Sequence, residues 1–290
     1  MMRPGLGALH LGLTLALGAA VALAPAHATE EAKRLVSLGG SVTEIVVALG
    51  AGDRLIARDS TSTYPESIQS LPDVGYVRAL SAEGVLALGP DLILAEDGAG
   101  PPEAVEVLKA AGIPFVTMPN APSPDGIVAK IEAVAEALAL EPEGAALAQE
   151  VKAGLDAAAA RAASVPDPKR VLFLLSVQGG RVMAGGAGSS AEGIIELAGG
   201  VNAATGFQGY KPMTDEAIIA AAPDVILMMD REGDLSITDA DILAQPALAA
   251  TPAAKSGKIL RMDGMLLLGF GPRTPEAAQK LHDALYPSAG

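Results

Sequence analysis

The chain of 290 residues has no cysteine and no tryptophan, and it has only three histidines, four tyrosines and four phenylalanines. Without a thiol there is no disulfide, no thiolate nucleophile and no cysteine-ligated metal. A chain of this length can bury enough core to fold without cross-links. Positive charge is scarce as well: 20 Lys and Arg stand against 34 Asp and Glu, for a net charge of −14. That balance excludes the basic footprint of a nucleic-acid binder. No Gly-x-Ser-x-Gly elbow is present. "GGRVMAGGAG" from Gly179 is glycine-rich but lacks the Gly-Lys-Ser/Thr ending of a phosphate loop. It reads as a tight turn close to a ligand or to another part of the fold.

Long apolar runs are also few. Leu11 to Leu23 is one, and it falls short of the roughly 18 residues that a spanning helix needs. Arg3 precedes it, and Ala26-His27-Ala28 follows as an A-x-A cleavage site. Residues 1–28 therefore read as a secretory signal peptide cut after Ala28. Cleavage removes His10 and His27, which leaves His282 alone and excludes a multi-histidine metal site. No cysteine stands at the cleavage site to carry a lipid, so the expectation is a freely diffusing protein of a Gram-negative periplasm. His282 lies in an amphipathic helix near the C-terminus and reads as a surface or satisfied histidine. A hydrolase built on it has no substrate to suggest, and no pair of carboxylates is singled out by spacing. The chain reads as a non-enzyme.

What is present is a regular alternation. Short apolar runs at Arg34–Leu38, Leu55–Ala57, Leu92–Ala95, Phe115–Met118, Val171–Leu175, Val225–Met229 and Ile259–Arg261 read as buried strands, separated by Ala-, Leu- and Glu-rich helical stretches. The pattern predicts an α/β fold: two Rossmann-like lobes with parallel-rich central sheets, joined by a long backbone helix, with a ligand cleft between the lobes. The boundaries are a first lobe over 29–141, a connecting helix over 142–165 and a second lobe over 166–290. Ser41-Val-Thr-Glu44 and Ser189-Ser-Ala-Glu192 fit capping boxes. Thr274-Pro275 places a proline at the first helical position. "LSAEGVLALGPDLILAED" from Leu80 matches "MTDEAIIAAAPDVILMMD" from Met213, and "SVTEIVVALGAG" from Ser41 echoes "SSAEGIIELAGG" from Ser189. The order is the same in both halves, as duplication would leave it. Shared α/β patterning is the alternative.

Tyr76 stands in "DVGYVRALSAEG". Pro72 and Gly75 place it on a loop. If the loop is extended there, Arg78 leaves the same face. A guanidinium near a phenol favours the phenolate, which is a hard anionic ligand, and tyrosine is a known proximal ligand of haem iron. An ordinary loop or core tyrosine is the competing reading.

Together, "RLVSLGGSVTEIVVALGAGDRLIARDSTSTYP", "LPDVGYVRALSAEGVLALGPDLIL", "GGVNAATGFQGYKPMTDEAIIAAAPDVIL" and "MLLLGFGPRTPEA" resemble the periplasmic haem-binding proteins of bacterial ABC haem importers. These belong to the helical-backbone class of binding proteins, which also serves cobalamin and ferric siderophores. The resemblance spans nearly the whole chain beyond residue 28. It implies that Tyr76 is the axial ligand of haem iron, with Arg78 beside it. It implies that Glu83 and Glu216 dock on the dimeric membrane permease, which works with its ATPase in the inner membrane, downstream of an outer-membrane haem receptor. A carboxylate at a helix N-terminus is also favoured by the dipole alone. Haem would be a transported ligand, not a catalytic cofactor. Some relatives carry a histidine for a second haem after the strand that here ends "LFLLS"; this chain has Val177 and Gln178 there. One five-coordinate haem is the expectation, with Met183 weighed as a sixth ligand against a place in the core. Phe270 is a candidate to pack on the porphyrin. Arg273, Lys211 and Arg58 are candidate partners of the propionates, and Tyr210 a candidate to line the second lobe. The same fold carrying a ferric siderophore or cobalamin is the rival.

Overall fold

Residues 32–230 and 237–287 are described in the computed structural model. The signal-peptide reading over 1–28 lies outside the described residues. Apolar runs too short for helices pair edge to edge. In chain order the first lobe comprises β1 (Leu35–Leu38), α1 (Gly40–Ala48), β2 (Leu55–Arg58), α2 (Ala82–Leu86), β3 (Leu92–Glu96), α3 (Pro102–Ala110) and β4 (Phe115–Met118). Its sheet runs β2-β1-β3-β4, all parallel. Every residue of β1 is buried, as expected of a strand covered on both faces.

Two helices follow, α4 (Pro124–Leu138) and α5 (Glu141–Ala163), joined by a tight connection at Ala139, which adopts a left-handed backbone (φ 55°). A Cβ on Gly144 would collide with that of Ala135, so this glycine lets the two helices close on each other.

The second lobe comprises β5 (Arg170–Gln178), β6 (Arg181–Gly185), α6 (Ser190–Leu197), β7 (Val201–Asn202), β8 (Tyr210–Met213), α7 (Asp215–Ala221), β9 (Val225–Asp230), α8 (Asp239–Leu243), α9 (Pro246–Ala249), α10 (Pro252–Lys255), β10 (Ile259–Asp263), α11 (Gly264–Leu268) and α12 (Thr274–Leu285). Its sheet runs β10-β9-β5-β6-β8, with β7 beside the start of β5. The strands β10, β9, β5 and β7 are parallel, whereas β6 and β8 are antiparallel to their neighbours. The glycine-rich stretch from Gly179 is thus mostly strand. Gly179 and Gly180, with φ of 56° and 77°, form the two-residue turn of a β5–β6 hairpin. Pro212 is tolerated because β8 is an edge strand.

One apolar core runs through both lobes. It joins Val42 and Ile45 of α1, Ile127, Ile131 and Val134 of α4, Val151 and Leu155 of α5, Phe173 of β5, Ile194 of α6 and Leu281 of α12. Separate clusters cover the outer face of each sheet. Among the described residues no helix is long and apolar enough to cross a membrane.

The repeat seen in the sequence has a matching physical device in each half. Ser81 caps α2 by accepting from Gly84 N–H, and Thr214 caps α7 by accepting from Ala217 N–H. A left-handed residue stands just before the Pro-Asp pair in each half, Gly89 (φ 60°) three residues beyond α2 and Ala222 (φ 40°) directly after α7. Asp91 then accepts from the backbone N–H of Arg34 at 3.0 Å, and Asp224 from that of Arg170 at 2.9 Å. The guanidinium of Arg34 donates to Gly89 O, and that of Arg170 to Ala221 O. Such agreement at four matched points is what duplication leaves and generic patterning does not require.

Two helix starts differ from expectation. Gly39 (φ 118°), not Ser41, precedes α1, and Ser41 lies inside the helix. A Cβ on Gly39 would stand 2.7 Å from the Glu96 carboxylate, so crowding and backbone angle both demand glycine there. At α6, Ser189 caps as expected, but Glu192 reaches Gly188 N–H (2.7 Å) rather than the cap residue's own N–H. Pro275 occupies the second position of α12, with Thr274 first.

Candidate functional site

A cavity of about 410 Å³ opens between the lobes. The first lobe lines it with Thr61, Tyr76, Arg78 and Glu96, and the second with Tyr210, Met229, Asp263, Met265 and Leu268. Asn120, in the segment between the lobes, also reaches it.

Tyr76 follows Gly75 (φ 93°), whose left-handed turn swings the chain back after Asp73 accepts from Gly75 N–H at 2.8 Å. The tyrosine is 49% exposed, a large ring left in a concave site without a partner ring. Arg78 shares this wall and makes no hydrogen bond or ion pair among the described residues. Its charge is felt by both Glu96 and, across the cleft, Tyr210.

Tyr210 differs in kind. It begins β8, packs edge-on against Phe173 with centroids 6.2 Å apart, and lies mostly buried. Burial raises its phenol above the ordinary value, and hydrogen bonds from the Ala191 backbone and the Ser190 side chain work the other way. A Cβ on Gly185 would come within 3.2 Å of its ring, so that glycine makes room for it.

Two wall or floor residues had not been expected. Burial pushes the Glu96 carboxyl up, against the cations of Lys130 and Arg78, while Asp59 and Asp97 add to the rise. Below it, Lys130 of α4 is fully buried. Burial pulls its ammonium down to about 8, against the attraction of Glu96 and Glu44. A signal for Lys130 does exist: it sits on the apolar stripe of α4, three residues from Ile127 and four from Val134. Met229 and Met265, the thioethers of the second wall, carried no signal beyond their place next to strand ends.

The remaining expected ligand contacts lie away from the cavity wall. Phe270 is 2% exposed and belongs to the shared core, next in the chain to Leu268 and Gly269 of the cavity wall, and does not itself line the cavity. Arg273 is committed to Glu44, at 3.0 and 2.5 Å, and stacks over the Tyr64 ring at 3.8 Å. Arg58 pairs with Asp73 at 3.1 Å and donates to the Asp59 carbonyl. Lys211 is exposed and does not line the cavity. Met183, on β6, does not line it either. Val177 packs against the outer core of the second lobe, away from the cleft. His282 shares a hydrogen bond with the Ala198 carbonyl (3.0 Å) and lies against Tyr286, as a satisfied structural histidine does.

Glu83 and Glu216 stand exposed, each at the second position of its helix, after the matched caps Ser81 and Thr214.

A model of the periplasmic binding protein family matches residues 35–266. Among solved structures, the chain is similar to the periplasmic haem-binding protein BhuT, solved in complex with two haems. Identity is 42%, the TM-score is 0.82, and the match covers 87% of this chain and 97% of that one. Among curated proteins it is similar to an uncharacterised ABC transporter substrate-binding lipoprotein, YvrC, of Bacillus subtilis. That match is 28% identical and covers 89% of this chain and 81% of the relative. A vitamin B12-binding protein of Yersinia pestis is 44% identical over a shorter stretch, 31% of each chain. The α/β fold in two parallel-rich lobes matches as a whole, and the family's role is transport rather than catalysis. The chain belongs to the periplasmic binding protein family.

Proposed function

We propose that this protein captures haem in the cleft between its lobes and delivers it to the permease of an ABC importer. The observation that carries this reading is Tyr76: a half-exposed phenol on the cleft wall, two residues from a cation that makes no hydrogen bond or ion pair among the described residues. A phenolate is a strong ligand for ferric iron, and an unpaired guanidinium is a strong partner for a carboxylate. Tyr76 binds the iron, Arg78 meets one propionate, and Met229, Met265 and Leu268 offer an apolar face to the porphyrin. The cavity is of the size that small-molecule sites occupy. The likeness to BhuT, at 42% identity, supports haem over the likeness to the vitamin B12-binding protein BtuF of Vibrio cholerae, which covers as much of this chain at only 26% identity. A multiply anionic ferric chelate suits the site poorly, because Glu96 and Asp263 outnumber Arg78 among its charged walls.

One haem fills the site in this reading. Val177 faces the outer core, Gln178 ends its strand at the hairpin, and burial raises the Tyr210 phenol, which disfavours the phenolate that a second iron would need. Glu83 and Glu216 dock on the paired permease subunits. The segment 29–141 and the segment 166–290 act as the two lobes, with 142–165 as a stiff connector. The protein works in the periplasm after cleavage at Ala28.

The test is an absorbance titration of the purified empty protein with ferric haem, run beside Tyr76→Ala. Saturation at one equivalent with the spectrum of tyrosinate-ligated high-spin iron, lost in the variant, is expected. Saturation at two equivalents would overturn the single-haem reading alone. No saturable haem binding, with saturation by cyanocobalamin or a ferric catecholate, would overturn haem itself.

A further inference from the structure

The lobes meet along a charged seam that the family reading does not use. Lys130 Nζ, buried in α4, donates to Ser41 Oγ of α1 (2.9 Å), to Asn120 Oδ1 (2.7 Å) and to the carbonyl of Phe270 in the second lobe (3.1 Å). An ammonium has three donors, and here all three are used. Arg273, at the start of α12, grips Glu44 of α1 with two nitrogens and stacks on Tyr64 of the first lobe. Phe270 itself has φ of 48°. A bulky L-residue takes that backbone only where its surroundings enforce it. The same conformation accompanies the carbonyl bond to Lys130. The contact is also tight. A Cβ on Gly271 would stand 3.2 Å from that of Ser41, and one on Gly40 would collide with the Met265 methyl group.

We propose that Lys130 and Arg273 are positioning residues that hold the two lobes at a fixed aperture, so that the walls carrying Tyr76 and Tyr210 stand ready before a flat ligand arrives. The proposal rests on the reading of the cleft as the ligand site. The seam reaches the cavity directly, because Asn120 and Met265 belong to both. Helix α5 stiffens the connection from behind, yet the fork from Arg273 and the bond from Lys130 are what cross from lobe to lobe beside the cleft. Stability alone does not call for this chemistry, since an apolar replacement of a buried ion is often neutral or stabilising. Two cations shared between lobes instead fix geometry, because their bonds are directional.

The absence of cysteine makes the test clean. Val107 of α3 and Leu243 of α8 are exposed, 53% and 50%. Val107→Cys and Leu243→Cys, carrying spin labels, report the distance between lobes by pulsed electron resonance. The otherwise unaltered protein should give one narrow distribution, the same empty and with haem. Lys130→Met should broaden the empty distribution, and haem should narrow it again. If the competent aperture falls to about a tenth of the population, haem affinity falls by about tenfold. Arg273→Met, at the rim of the seam, keeps the test available should Lys130→Met fail to fold. A narrow, unshifted distribution in a folded variant would overturn the proposal, and so would broadening with unchanged haem affinity. The distances in the empty protein need no ligand, so a failure of haem binding would be seen separately.

Discussion

The two lobes repeat one frame and diverge where they face the cleft. Behind the sheets the copies agree residue for residue: Ser81 with Thr214, Glu83 with Glu216, Gly89 with Ala222, Asp91 with Asp224, Arg34 with Arg170 in role. At the cleft they do not. The first lobe offers Tyr76 from a loop, half-exposed and without a partner ring among the described residues, whereas the second offers Tyr210 from a strand, partly buried and packed against Phe173. The frame is what stacks a helix on a strand, and it must be kept in both copies for either to fold. Loops beyond strand ends carry no such burden, so ligand chemistry is free to differ there. A tyrosine packed edge-on against Phe173 would have to give up that contact to reach a metal. One without commitments loses nothing.

The strongest way to break the likeness of the frames is at the matched glutamates. Charge reversal of both, Glu83→Arg with Glu216→Arg, should lower haem uptake by membrane vesicles holding the transporter by at least about tenfold. Haem binding in solution should not change. Each single reversal should cost a similar part of the effect. If one reversal were silent, the lobes would not be equivalent in docking. If both were, neither glutamate would face the permease.

That prediction draws on what was legible in the sequence, because both glutamates follow a hydroxyl cap in a repeated string. The parallel strands were legible too. Val36, Ile93 and Leu94 are fully buried, so their runs are apolar without interruption. The antiparallel pieces were not. Arg181–Gly185 and Tyr210–Met213 carry arginine, glycine, lysine and proline, because β8 is an edge strand and Arg181, Lys211 and Pro212 are exposed. The site was legible where local chemistry sets it, at Tyr76 and Arg78. It was illegible where a partner arrives from far along the chain. Glu44 looked like half of a capping box and Arg273 like a free cation, yet each satisfies the other across 229 positions. Phe270 looked like a ligand platform because glycines flank it. Those glycines instead let the chain pass close to Ser41 and Met265.

A smaller effect sharpens the comparison at the cleft. Arg78→Met should weaken haem binding by about tenfold, the worth of one charge-assisted hydrogen bond. Lys211→Met, on the exposed edge strand of the second lobe, should leave affinity within error. A titration with haem dimethyl ester, which lacks both carboxylates, should erase the difference between Arg78→Met and the unaltered protein. Persistence of the difference would mean that Arg78 acts on Tyr76 and not on a propionate.

The smallest effect lies at the matched frame position where one copy uses glycine and the other alanine. Gly89, three residues beyond α2, and Ala222, directly after α7, hold a left-handed backbone at matched places, at φ of 60° and 40°. An alanine pays in strain for that conformation, and glycine does not. A Cβ on Gly89 would meet nothing nearer than Arg34 Nη2 at 4.0 Å, so Gly89→Ala changes the backbone term alone. It should destabilise the protein by about 1 kcal/mol. Ala222 is exposed, so its methyl group packs against little. Ala222→Gly should therefore stabilise, by about 0.5 kcal/mol once the greater freedom of glycine in the unfolded chain is subtracted. The two changes lie in different lobes with no shared partner and should add. Denaturant melts of the two single variants and the double variant would check this, with unchanged slopes. If Ala222→Gly destabilised instead, the second copy of the frame would be held by contacts that the first copy lacks.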